Sequence, residues 1–60
     1  MINGQTFKNL DNETLTICSI TNDSYPTNKI NGAYVKITTR YGRELEQHMS
    51  IESIYNFIEN

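Results

Sequence analysis

The sequence predicts a mainly β (α+β) domain: a small bent antiparallel sheet or partial barrel of four to five strands, with one C-terminal helix. Three observations carry this. Residues 33–49 alternate in polarity on both sides of Arg40-Tyr41-Gly42, residues 5–21 hold a second pair of β-type runs around a polar turn, and the last ten residues switch to helical spacing. The chain has 60 residues. That length makes one domain, residues 1–60, with a small core and little room for a large catalytic cleft.

The N-terminal pair covers 5–21. Gln5 to Asn9 forms its first strand, Asp11-Asn12-Glu13 the turn, and Thr14 to Thr21 the second strand. Leu15 and Ile17 set an inward phase that Ile20 breaks, so the alternation calls for a β-bulge near Cys18-Ser19. Inside this apolar run the lone Cys18 reads as a small buried hydrophobe, and a single cysteine closes no intrachain disulfide. Residues 22–32 gather Asp23-Ser24, Tyr25-Pro26 and Asn31-Gly32, all turn formers, and predict a long loop with room for a short strand before Asn31-Gly32.

Residues 33–49 predict a β-hairpin whose register follows from its side chains. Ala33, Val35 and Ile37 face one way with Leu45, Gln47 and Met49; Tyr34, Lys36 and Thr38 face the other with Glu44, Glu46 and His48. A three-residue loop with Gly42 in the left-handed position of a G1 bulge sets Ile37 against Leu45, Ala33 against Met49, Lys36 against Glu46 and Tyr34 against His48. A slip of one residue would place apolar side chains opposite charged ones. Residues 50–60 predict the helix: Ser50 is the cap, and Ile51, Ile54, Tyr55 and Ile58 form a stripe at i, i+3, i+4 and i+7. Glu52 suits the positive end of the helix dipole, and Met49 is placed to pack on Ile54. A helix this short is marginal alone and must dock on the sheet.

Function is constrained more by what is missing. Five Lys+Arg against seven Asp+Glu give a net charge of −2, which opposes a whole-domain attraction to phosphate backbones. The opening Met1-Ile2-Asn3-Gly4-Gln5 has no basic and apolar leader, and no run reaches the roughly 18 apolar residues of a membrane span. A cytoplasmic protein with no membrane partner is expected. The matches to the glycosylation pattern at Asn12-Glu13-Thr14 and Asn22-Asp23-Ser24 read as turn chemistry. His48 and Cys18 lie on different strands with no nucleophile motif. A single His and a single Cys lack zinc-ligand spacing, and the glycines are scattered singly. The expectation is no enzyme, no metal and no cofactor.

The candidate partner-binding residues are Tyr34, Lys36, Arg40, Tyr41 and Arg43 on the outer side of the hairpin, Tyr25 from the long loop, and Phe57 on the flank of the helix stripe. Aromatic and cationic side chains together dominate protein interfaces and also serve single-stranded nucleic acids. A plain alternative is that Lys36 pairs with Glu46, Arg40 or Arg43 pairs with Glu44, and the tyrosines shield backbone. The acidic balance favours a protein partner over RNA or single-stranded DNA, and a homodimer is a further option.

The opening Gly4-Gln5-Thr6-Phe7, a turn, Leu15-Thr16-Ile17, a hairpin and a short terminal helix resemble the small SH3-like barrel proteins encoded by bacteriophages, prophages and mobile elements. That resemblance implies a stand-alone adaptor or inhibitor of a host or phage protein, and it transfers no active-site residue. Asp11-Asn12-Glu13-Thr14-Leu15-Thr16-Ile17, Val35-Lys36-Ile37 and Ile54-Tyr55 with Ile58 are also similar to the carbon storage regulator family, a dimeric RNA-binding β-protein. That family's basic Thr-Arg-Lys type segment and its Arg before the last helix are replaced here by Ile2-Asn3-Gly4-Gln5 and Met49-Ser50-Ile51. Its RNA-binding residues therefore do not carry over.

Overall fold

Period-two patterning organises residues 6–50. The computed structural model describes residues 2–23 and 29–59; strands β1 (Thr6–Lys8), β2 (Thr14–Asn22), β3 (Ile30–Thr38) and β4 (Glu44–Ser50) lead into helix α1 (Ile51–Glu59). The strands form an antiparallel meander in the order β1-β2-β3-β4. The protein is therefore mainly β, a four-stranded open sheet with one C-terminal helix. Among the described residues β1 and β4 do not pair, because β1 is three residues long and reaches only Thr14 to Thr16 of β2. No helix among the described residues is long and apolar enough to cross a membrane.

The hairpin register follows the alternation: Ile37 lies opposite Leu45, Ala33 opposite Met49, Lys36 opposite Glu46 and Tyr34 opposite His48. Gly42 has φ +86°, and the loop closes through Thr39 N–H to Arg43 O at 2.8 Å and Gly42 N–H to Thr39 O at 2.9 Å. A side chain at Gly42 would strain this left-handed turn. The β2–β3 register slips between Ile17 and Ser19, which leaves Cys18 as the extra residue of a bulge. The bulge restores the inward phase at Ile20 and turns Cys18 outward, so the thiol is exposed rather than a core hydrophobe.

A second slip lies between Thr21 and Asn22, which pair with Gly32 and Ile30. Asn31-Gly32 therefore belongs to β3 and not to the expected 22–32 loop, because the nine-residue β2 extends far enough to pair with it. Asn31 is the unpaired residue of this irregularity, a position suited to its turn chemistry. Tyr25 and Pro26 lie outside the described residues.

Leu15, Ile17, Ala33, Val35, Ile37 and Ile54 form the buried core, flanked by Phe7, Ile20, Met49, Phe57 and Ile58. All the strand members lie on one sheet face, and α1 covers it. Ser53 N–H donates to Ser50 Oγ at 3.2 Å, so Ser50 ends β4 and caps α1 in the same residue. The helix is rotated from the expected stripe: Tyr55 is exposed, while Phe57 is half-buried against the core. With Ile54 at the centre and about 100° per residue, Phe57 and Ile51 fall roughly 60° to either side and Tyr55 falls about 100° away, beyond the contact arc. Leu45 shares the inner face but is 44% exposed, because β4 is an edge and no strand among the described residues pairs beyond it.

Candidate functional site

In a meander, alternate turns emerge at the same end, so the β1–β2 and β3–β4 turns stand side by side beyond β2 and β3. Each is held by a polar side chain just before it. Asn9 Oδ1 accepts from Asp11 N–H and Glu13 N–H, both at 3.0 Å, and Asn9 Nδ2 donates to Glu13 Oε1 at 3.2 Å. Thr39 Oγ1 accepts from Arg43 N–H at 3.1 Å. In both turns the residue at position i binds the amide of i+4, and this orders a short loop without a core of its own.

These two turns display Leu10, 87% exposed, and Tyr41, 83% exposed. Asp11, Glu13, Thr39, Arg40, Tyr41 and Arg43 line an open depression of about 440 Å³ between them. The Arg40 guanidinium carbon stands 5.0 Å from the Tyr41 ring centroid, a cation–π stack that stiffens both side chains. Two carboxylates and two guanidiniums balance in charge. Lys36 Nζ reaches diagonally to Glu44 Oε2 at 3.1 Å rather than across to Glu46. That contact occupies Glu44, the acid expected for Arg40 or Arg43, and it is the ion pair found among the described residues.

The remaining sequence candidates lie elsewhere. Tyr34 stands on the outer sheet face, roughly 15 Å along β3 from the turn end at about 3.3 Å per residue, with His48 against it edge-on at 5.0 Å between ring centroids. Phe57 packs on the opposite face, under the helix. The structure thus unites Arg40, Tyr41 and Arg43, pairs Lys36 with Glu44 outside that group, and separates Tyr34 and Phe57. It also adds Asp11 and Glu13, with Leu10 exposed on the same turn. The signal for them was present: Leu10 is an apolar residue within a polar turn, and such a side chain has no strand or helix face to bury it.

Around His48 lies a chain of polar contacts. Asn31 Nδ2 donates to Asp23 Oδ1 at 2.9 Å, Thr21 Oγ1 donates to Asn31 Oδ1 at 2.6 Å, and Thr21 Oγ1 is 3.0 Å from His48 Nε2. The Asp23 carboxylate orients the Asn31 amide, and Thr21 Oγ1 joins Asn31 to His48 in one exposed polar chain. The contact spans β3 beside Gly32, which has no side chain to block it. Cys18 and His48 border one shallow depression with Tyr34 and Glu46. The thiol is nevertheless directed to Thr16 O, at 3.8 Å, and His48 Nε2 to Thr21. A nucleophile–base contact is not what this arrangement makes.

Asn9 is 8% exposed and is the side chain that sets the shape of the first turn. Asn9→Ala is expected to cost about 1–2 kcal/mol, because two amides lose their acceptor. Urea denaturation should show the loss, with faster hydrogen exchange at Asp11 and Glu13; unchanged exchange there would remove Asn9 from its ordering role. No protein-family model, curated protein or solved structure matches the chain.

Proposed function

We propose that this chain is a non-enzymatic protein-interaction module that grips its partner with the turn end of its sheet. The observation that carries this reading is Tyr41, exposed and stacked by Arg40, sharing a depression with Asp11 and Glu13 of the turn that also displays the exposed Leu10. Tyr and Arg are the residue types that most often anchor interfaces. Burying a Leu side chain yields about 1.5–3 kcal/mol, and turns already pinned by Asn9 and Thr39 lose little freedom on binding. Asp11 and Glu13 in the same depression oppose a phosphate backbone and favour a partner of mixed charge. The resemblance to SH3-like phage and mobile-element proteins supports an adaptor or inhibitor role, and the free Cys18 supports a reducing, cytoplasmic setting.

The test places a photo-crosslinking residue at Tyr41, and in a control at the helix residue Glu52, in the native cell. Adducts of one discrete protein from position 41, lost with Leu10→Ser or Arg40→Ala, are expected. Tyr41→Ala should weaken that complex about 10- to 100-fold while moving stability by less than about 0.5 kcal/mol. Adducts with nucleic acid whose affinity falls steeply with salt, or equal capture from position 52, would refute the reading.

A further inference from the structure

We propose that the free edge of β4 pairs antiparallel with β4 of a second copy of this chain, about a two-fold axis at Gln47. The surface is separate from the turn end and does not depend on it. Thr39 N–H bonds Arg43 O at 2.8 Å, so the antiparallel alternation gives the next bonded pairs to Ile37–Leu45, Val35–Gln47 and Ala33–Met49. Glu44, Glu46, His48 and Ser50 then direct their backbone N–H and C=O away from β3, into the open edge. This edge is seven residues long, has no proline, and pairs with β3 without a register slip. Such edges are templates for strand addition unless blunted. The other edge, β1, has three residues.

The side chains select the occupant. A two-fold antiparallel pair sets one residue against its own copy and keeps same-face residues opposite each other. Centred on Glu46, the pair would oppose like charges; centred on His48, it would oppose two imidazoles and leave Glu44 beyond the strand. Centred on Gln47, Glu46 meets His48 of the second copy, Glu44 meets Ser50, and every outward-pointing backbone group is used. On the helix face the same register puts Leu45 against Met49 of the second copy. Leu45 is the apolar inner-face residue of β4 that the monomer leaves exposed, at 44%, and this pairing covers it. Outside, each carboxylate meets a side chain able to donate a hydrogen bond and no like charges meet; inside, the contact is apolar, so both faces agree on one register.

Sedimentation equilibrium of the full chain over a wide concentration range should show a reversible dimer. Glu46→Pro should weaken it at least about 10-fold with the circular dichroism spectrum retained, because the Glu46 N–H faces the edge and serves no bond to β3. In a Cys18→Ser background, Gln47→Cys should oxidise to a linked dimer, since directly opposed positions lie within disulfide reach. Glu44→Cys should not, because its two copies would stand about 20 Å apart at about 3.4 Å per residue. A chain that stays monomeric throughout, or cross-links as readily through Glu44→Cys as through Gln47→Cys, overturns the proposal. So does a dimer that Glu46→Pro leaves intact.

Discussion

Ile54→Ala is expected to lower the unfolding free energy by about 2–5 kcal/mol, the cost of a large-to-small change at a fully buried aliphatic site. Ile54 is fully buried and is the one helix side chain in the core proper. A domain of this length has roughly 3–9 kcal/mol in total at about 0.05–0.15 kcal/mol per residue, so the variant should be largely unfolded or lose about 10–30 °C in melting temperature. The loss exceeds the buried area of one side chain. Without Ile54 the nine-residue α1 has little reason to dock, and Leu15, Ile17 and Val35 face water. Tyr55→Ala on the exposed side should cost well under about 1 kcal/mol. Equal melting of the two variants would show that the helix does not rest on the sheet as described.

Gly32→Ala should be the second severe change, and here two effects oppose each other. Glycine inside a strand is ordinarily worse than alanine by about 0.5–1 kcal/mol. At Gly32, however, an added Cβ would be driven into the Met49 carbonyl oxygen and would lie 3.1 Å from both the Met49 carbonyl carbon and Ser50 Cα. These are backbone atoms and cannot swing aside. Separating β3 from β4 at this point also disturbs Ser50, which caps α1. Overpacking of this kind costs about 1–3 kcal/mol, so the contact outweighs the propensity and the net effect is destabilising. Thermal unfolding decides it: a variant as stable as the parent would mean the two backbones do not approach so closely.

How much of this was legible beforehand depends on the range of the interactions. Residues 33–49 were readable because the two-residue period, the loop Arg40-Tyr41-Gly42 and the pairing of Lys36 with an acidic row all lie within a short span. The break in phase between Ile17 and Ile20 announced a bulge, but not that Cys18 would be the residue expelled from the ladder and exposed. Asn31-Gly32 carries a turn signature, and its turn chemistry was used in a strand irregularity because β2 extends far enough to pair with it. On the helix, spacing marked Ile54 but could not choose between Tyr55 and Phe57 as its flank; the rotation is set by how α1 meets β3 and β4.

The candidate site divides the same way. Arg40, Tyr41 and Arg43 were recognisable as exposed loop residues from one hairpin alone. Asp11 and Glu13, with Leu10 exposed on the same turn, joined them only through the placement of two turns at one end of a meander, with some thirty residues of chain between them, and Tyr34 was separated from them by the length of β3.

Local periodicity, turn chemistry and capping were sufficient to specify the 33–49 hairpin with its register and the C-terminal helix, because each involves residues that are neighbours along the chain; the start of β3 at Ile30 was not among them. Whether the sheet closes, which faces of Cys18 and Phe57 meet solvent, and which turns share a surface were settled by packing between distant segments. Such contacts depend on strand length, edge position and helix rotation together, and no single stretch of residues encodes them.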